Sequence, residues 1–169
     1  MRFDASTVQQ RFDGPLGPMV LSASAVGLNG VWFDGQRHQP DASAWPPALR
    51  HPVLQAAQRQ LLEYFDGRRQ QFDLPLDLSG GTAFQQAVWQ ALRGIGAGTT
   101  RSYGALARAL ERPQAVRAVG AAVGRNPISI IVPCHRVLGS AGALTGYAGG
   151  LERKQALLQL EHTPLREAA

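Results

Sequence analysis

Cys134 is the only cysteine in a chain of 169 residues. It follows the apolar run Ile128 to Val132 and Pro133, so its backbone is held stiffly, and an imidazole, His135, comes directly after it. A lone thiol cannot close an intramolecular disulfide, which leaves packing or nucleophilic chemistry. A free thiol with a pKa of about 8.5 is only slightly ionised at neutral pH, so a nucleophile here would need a base, and His135 could supply it. Neighbours on an extended chain point to opposite sides, so the link from thiol to imidazole is expected to run through a water. Residue type alone leaves the packing reading open, because cysteine is among the most buried residues. The four histidines His38, His51, His135 and His162 with one cysteine offer no zinc spacing, and no metal is expected.

The elements that must position this pair divide the chain into two parts. Met19 to Ala23 and Leu28 to Phe33 are short strands around Gly27, suited to a hairpin. A polar, Pro-rich loop over 36–52 leads to a helix over 53–66 with Leu54, Ala57, Leu61 and Phe65 on one face and Gly67 ending it. Residues 72–78, broken by Pro75, read as an extended connector, and the boundary falls near Ser79-Gly80-Gly81. The expected domains are therefore 1–79, small and α/β, and 80–169, mostly helical. In the second, Thr82 with Gln85 forms a capping-box pattern for a helix carrying Phe84, Ala87, Val88, Ala91 and Leu92, ending at Gly94. Ser102 can cap a short helix with Tyr103, Leu106, Ala107 and Leu110 on one face. Pro113 starts another with Val116, Val119, Gly120 and Val123 inward, which Asn126-Pro127 stops. A Gly-rich loop from Gly139 to Gly150 precedes a last helix ending near Glu161. Two short helices about a tight turn fit a helix-turn-helix or an ordinary helical hairpin equally well by spacing.

Charge separates those two readings. Residues 1–78 hold seven Arg against seven Asp and one Glu, a net −1, whereas residues 79–169 hold nine Arg and one Lys against four Glu, a net +6. Arg101, Arg108, Arg112, Arg117 and Arg125 gather around the short helices against Glu111 alone, as a partner of nucleic-acid type would favour. The apolar fraction of 44% excludes disorder, and no aliphatic run approaches a membrane span. The amino terminus has no apolar leader, so a cytoplasmic protein is expected.

Asn126-Pro-Ile-Ser-Ile-Ile-Val-Pro-Cys-His-Arg-Val137 resembles the active-site signature of the O6-alkylguanine-DNA alkyltransferase family. The likeness extends through Gly81 to Trp89, Ser102 to Ala107, Arg117 to Gly120, Leu144 to Gly150 and Lys154 to Glu161, nearly all of residues 80–161, and more weakly through Gly14 to Leu21 and Gly27-Leu28. It implies a ribonuclease H-like first domain and a second domain with a helix-turn-helix. It also implies a single-turnover transfer of alkyl groups from O6 of guanine, and from O4 of thymine, to Cys134. His135 would be the base through water, Glu161 would orient and charge-compensate it, and Asn126 would hold the active-site segment. Tyr103 would contact the lesion's phosphate and help protonate the departing guanine, and Arg117 would fill the gap left by a flipped nucleotide. Ser102, Gly104, Ala118, Arg125 and Ser140 would complete the DNA-binding surface. Tyr147, Ala148, Val137 and Lys154 would line the base pocket. Read without the resemblance, these are a helix-end carboxylate, a half-buried aromatic, exposed arginines, a helix stop and a Gly-rich turn.

The chemistry agrees with that reading. O6 is inside the base pair, so the nucleotide must be extruded at a cost of a few kcal/mol, less for a damaged base. Small residues Ala115, Ala118, Ala121 and Ala122 on the Arg117 helix suit close approach to the minor groove and sequence-independent binding of double-stranded DNA. No cofactor is implied, since the alkylated DNA is the donor. The expected protein is a monomer in solution, with cooperativity on DNA left open. Gly94-Ile-Gly-Ala-Gly98 departs from the Ile-Pro-x-Gly of many relatives, so a looser turn is expected there, and no Lys-Ser/Thr comes after it to make it a phosphate loop. Two other classes compete. A non-catalytic lesion-binding relative would lack Cys134, and a helix-turn-helix regulator with a thiol sensor would not need His135, Tyr147 and Glu161.

Overall fold

The computed structural model describes residues 1–163, so the final residues 164–169 of the expected second domain lie outside the described residues. The chain forms two compact units: Met1–Thr82 together with Pro127–Ser129, and Ala83–Asn126 with the chain from Ile130 on.

The first unit is built on an antiparallel sheet of β1 (Val8–Gly14), β2 (Gly17–Ala23) and β3 (Leu28–Phe33), in that order. β2 and β3 form the expected hairpin, while β1 is an addition that its polar sequence conceals. Only Gln10 and Phe12 of β1 face the interior, and a glutamine carries one of those two positions. β3 is buried along its whole length, at a point where a Cβ on Gly30 would stand 1.9 Å from the Trp32 ring. Its far edge is not left open. Leu28 donates to the Pro75 carbonyl at 2.8 Å, and Val31 donates to the Pro127 carbonyl and accepts from the Ser129 N–H, both at 2.9 Å. Two separate segments thus occupy the place of a fourth strand, which removes an aggregation-prone edge. The first of them is the expected 72–78 connector, and the second is the chain leading to Cys134.

α1 (Pro52–Phe65) covers β1 and β2, with Pro52 in its first turn. Its buried stripe is Leu54, Ala57, Gln60, Leu61 and Tyr64. Phe65, expected inward, is only half-buried, and Tyr64 takes the position against Phe72 at 5.6 Å between ring centres.

The second unit is mostly helical, in α2 (Ala83–Arg93), α3 (Tyr103–Ala109), α4 (Val116–Gly124) and α5 (Leu151–Leu160), with a two-residue parallel pair β4 (Arg101–Ser102) and β5 (Val137–Leu138). On α2 the inward residues are Val88, Trp89 and Leu92, while Ala87 is exposed. The expected face is rotated because Trp89 reaches across to α4, its indole donating to the Ala122 carbonyl at 2.8 Å. Ser102 caps α3 as its sequence predicts, accepting the Ala105 N–H at 3.1 Å. A tight turn with Glu111 at φ 57° and a 3-10 turn at Pro113–Ala115 then lead into α4. That 3-10 turn winds more tightly than an α-helix and shifts the phase of α4. Val119, Ala122 and Val123 therefore face inward and Val116 is exposed, so Ala122 does not join Ala118 and Ala121 on the outer face. Among the described residues no helix is long and apolar enough to cross a membrane, and no three His, Cys, Asp or Glu side chains converge as a metal site.

Candidate active site

The site is made inside the second unit by the chain that leaves the buried apolar run. Pro133, at φ −81° and ψ 64°, turns the backbone so tightly that the Cys134 N–H bonds to the Val132 carbonyl at 2.8 Å. This is an inverse γ-turn, and Cys134–Arg136 continue as a 3-10 turn. The expected extended backbone at Cys134 and His135 is replaced by this coil. Asn126, at the end of the α4 segment, spans it with one amide nitrogen. Its Nδ2 donates to the Val132 carbonyl at 2.7 Å and to Cys134 Sγ at 3.1 Å.

His135 is wholly buried and its Nε2 lies 2.9 Å from Glu161 Oε1. Glu161 caps the C-terminus of α5. Burial alone would raise its pKa, but hydrogen bonds from His135 and Arg136 hold it at about 2. Arg136 grips the carboxylate with two nitrogens, Nε to Oε2 at 2.9 Å and Nη2 to Oε1 at 2.7 Å, and its Nη1 donates to the Ile95 carbonyl. Burial pushes the His135 pKa down against the pull of Glu161, and pushes the Cys134 thiol up against the Asn126 bond and the Lys154 charge. At neutral pH the resting site therefore holds a thiol, a neutral imidazole and a carboxylate. An ionised carboxylate only accepts, so the imidazole proton is on Nε2, and Nδ1 is left as the basic nitrogen. Nδ1 is buried and has no hydrogen-bond partner among the described residues.

Lys154, on α5, is fully buried and spends its ammonium on two carbonyls, Val137 at 2.6 Å and Thr145 at 2.8 Å. It thereby ties β5 to the Gly-rich loop, and burial lowers its pKa to about 8. The β4–β5 pairing sets Arg101 against Val137 and Ser102 against Leu138, which brings the start of α3 beside the chain leaving the cysteine turn. Tyr103, the first residue of α3, is half-buried and its hydroxyl donates to the Gly146 carbonyl at 3.4 Å. Burial, with Cys134 close by, raises its pKa. Tyr147 and Ala148 are half-buried on the same loop.

The remaining expected residues are distributed over the outside of the helix pair. Ser102 and Gly104 are partly exposed at the start of α3, and Arg117 and Ala118 are exposed on the first turn of α4. Arg125 is exposed at the end of α4, and Ser140 is exposed in the turn after β5. The structure thus brings Cys134, His135, Asn126, Glu161, Lys154 and Val137 into one buried cluster. Arg136 belongs to that cluster although no role is read for it from the sequence. The signal was present, since an arginine within an otherwise apolar stretch must find a buried acceptor. The turn Gly94 to Gly98 is also part of the support, contrary to the looser turn expected: Ile95 supplies the carbonyl for Arg136. Gly98 sits at φ 75°, where a Cβ would be 3.3 Å from the Glu161 carbonyl.

Comparison with known proteins defines the class. Residues 83–163 match the model of the 6-O-methylguanine DNA methyltransferase DNA binding domain, and residues 9–78 match that of the 6-O-methylguanine DNA methyltransferase ribonuclease-like domain. The chain is 48% identical over 149 residues to the methylated-DNA–protein-cysteine methyltransferase of Mycobacterium tuberculosis, covering 88% of each. It is 44% identical over 154 residues to that of Haemophilus influenzae, covering 90% of this chain and 85% of the relative. A crystal structure of Mycobacterium tuberculosis OGT in complex with DNA superposes with a TM-score of 0.85 at 47% identity, over 91% of this chain and 92% of that one. The chain belongs to the 6-O-methylguanine DNA methyltransferase family. Its fold is the family's ribonuclease-like α/β domain followed by a helical DNA-binding domain.

Proposed function

We propose that this protein repairs O6-alkylguanine in DNA by moving the alkyl group to its own Cys134. The observation that carries the reading is the buried relay Cys134–His135–Glu161, with the thiol held by Asn126 and the imidazole tautomer set by an ionised carboxylate. The thiol proton passes to His135 Nδ1 through a water while sulfur attacks the alkyl carbon. The carbon–oxygen bond breaks with its electron pair going to the guanine, which is protonated with the help of the Tyr103 hydroxyl. Glu161 stabilises the imidazolium formed in between, as a buried carboxylate hydrogen-bonded to it does. Val137, Tyr147 and Ala148 line the base pocket, and Lys154 positions the first of these from behind through its carbonyl.

The second unit presents α3 and α4 to the minor groove of double-stranded DNA without sequence preference. The exposed small residues Ala118 and Ala121 allow close approach, Arg117 occupies the gap in the extruded stack, and Ser102, Gly104, Arg125 and Ser140 meet the backbone. O4-alkylthymine is a second substrate of the same pocket. The protein acts as a cytoplasmic monomer. Cys134→Ser should leave the methyl on O6-methylguanine DNA, as read by chromatography of the digested DNA, while binding that DNA as tightly as the parent. Methyl loss with the serine variant would place the acceptor elsewhere.

A further inference from the structure

The two residues after Cys134 converge on one carboxylate, and every group concerned lies in the second unit. Cys134–Arg136 form a single 3-10 turn, from which His135 and Arg136 both reach Glu161 at the end of α5. That end is an unfavourable place for a carboxylate. The last carbonyls of a helix carry partial negative charge, and burial also disfavours the ionised form. Two donors oppose this, His135 Nε2 at 2.9 Å and Arg136 with two of its nitrogens. Of these, the guanidinium alone keeps its charge at every working pH, since the imidazole is neutral at rest. Arg136 is buried, and its third nitrogen is fixed on the Ile95 carbonyl, in a turn over 94–98 that has no ionisable side chain. All three nitrogens are thus spent on Glu161 and the backbone, and none is turned outward to meet a phosphate.

We propose that Arg136 is a positioning residue for alkyl transfer: by holding Glu161 as a carboxylate that only accepts, it keeps the His135 ring proton on Nε2 and leaves Nδ1 bare to receive the thiol proton. Without the guanidinium, the Glu161–His135 pair takes up one proton at neutral pH. That proton has two places to go. On the imidazole it makes an imidazolium, and on the carboxylate it makes an acid that donates to Nε2 and drives the ring proton to Nδ1. Either way Nδ1 carries hydrogen and cannot accept from the thiol. The other ionisable groups acting on His135 are Glu161 itself and Lys154 of α5, whose charge pushes in the same direction as that of Arg136. The Lys154 ammonium is committed to the Val137 and Thr145 carbonyls, so it does not replace the guanidinium on Glu161.

The inference rests on the alkyl-transfer reading, and two readouts separate them. Single-turnover methyl transfer is followed with a duplex bearing one O6-methylguanine at saturating protein, from pH 6 to pH 9, for the parent, Arg136→Gln and Arg136→Lys, below the melting temperature of each. Arg136→Gln should be slower than the parent by roughly tenfold at pH 7, by more at pH 6 and by no more than about twofold at pH 9, because rising pH strips the extra proton from the pair. Arg136→Lys restores a charge without the two-pronged grip, so its deficit at pH 7 should be only about threefold and should close in the same way. Ring nitrogen shifts of isotope-labelled His135, read by NMR at pH 7, should show Nδ1 bare in the parent and protonated in Arg136→Gln. A purely structural role gives a deficit that is the same at every pH. That result, or a bare Nδ1 in Arg136→Gln, would overturn the proposal. Should Arg136→Gln not fold, Arg136→Lys decides by whether its gap to the parent closes with pH. A parent that leaves the methyl on the DNA, with the ring shifts as expected, would instead overturn the alkyl-transfer reading.

Discussion

Glu161 serves two donors in one place, a neutral imidazole and a guanidinium, since its Oε1 meets both His135 and Arg136 and its Oε2 meets Arg136 again. Burial there pushes its pKa up, and the bonds from His135 and Arg136 outweigh that push and hold it at about 2. Because its folded pKa lies below the ordinary value of 4.5, the stability it contributes is complete above pH 4.5 and is lost as the pH falls through 2. Glu161→Gln leaves the Arg136 guanidinium buried and unpaired, at an expected cost of about 3 to 5 kcal/mol at neutral pH. Thermal melts from pH 7 to pH 2 check this directly. The gap between parent and variant should be wide at pH 7 and close as pH 2 is approached, whereas a gap that is constant with pH would show that the carboxylate is not the group holding Arg136.

At the scale of elements, α3 and α4 stand on the same framework as the nucleophile. Trp89 ties α2 to α4 through Ala122, and β4 to β5 ties the start of α3 to the chain after Cys134. Arg117 is exposed on the first turn of α4 and, among the described residues, makes no tie to that framework that its removal would break. Arg117→Ala should therefore slow methyl transfer from duplex DNA by at least tenfold, about 1.4 kcal/mol, and leave reaction with free O6-benzylguanine nearly unchanged, since the free base needs no flipping. Equal losses on both substrates would remove the wedge role. Much of this level was legible in the sequence. Ser102 capping α3, Asn126-Pro127 ending the α4 segment and Pro52 opening α1 are local chemistry, and each is where its residue type places it. What escaped depends on tertiary contacts. β1 hides behind Gln10, the α4 face turns with the preceding 3-10 turn, and Tyr64 displaces Phe65 because Phe72 is there to meet it. In the site, Cys134, His135 and Glu161 were readable from residue type together with the family signature. The Arg136 clamp and the γ-turn at Pro133 were not, since one needs a partner remote in sequence and the other a backbone angle.

For the molecule as a whole, the tight fit around Cys134 has a consequence after reaction. The thiol is 5% exposed, with Asn126 against it and the buried run Ile130 to Val132 leading into it. An added methyl overfills that space, at a typical cost of about 1 to 3 kcal/mol, and weakens the Asn126 bond that spans the turn. For a protein of this size that corresponds to a melting temperature lower by about 3 to 10 °C in the methylated form, compared without DNA in one buffer. A methylated form melting as high as the parent would mean that the site has room to spare. The molecule also has one thiol and no second to take the group back, so each copy reacts once. Transfer to Cys134 is tested most directly by weighing the intact protein after prolonged incubation with excess O6-methylguanine duplex and mapping the gain by peptide analysis. One methyl per chain is expected, located on Cys134, with demethylated guanine equal to the protein added. A second methyl, a methyl on another residue, or guanine released beyond one equivalent would contradict that transfer.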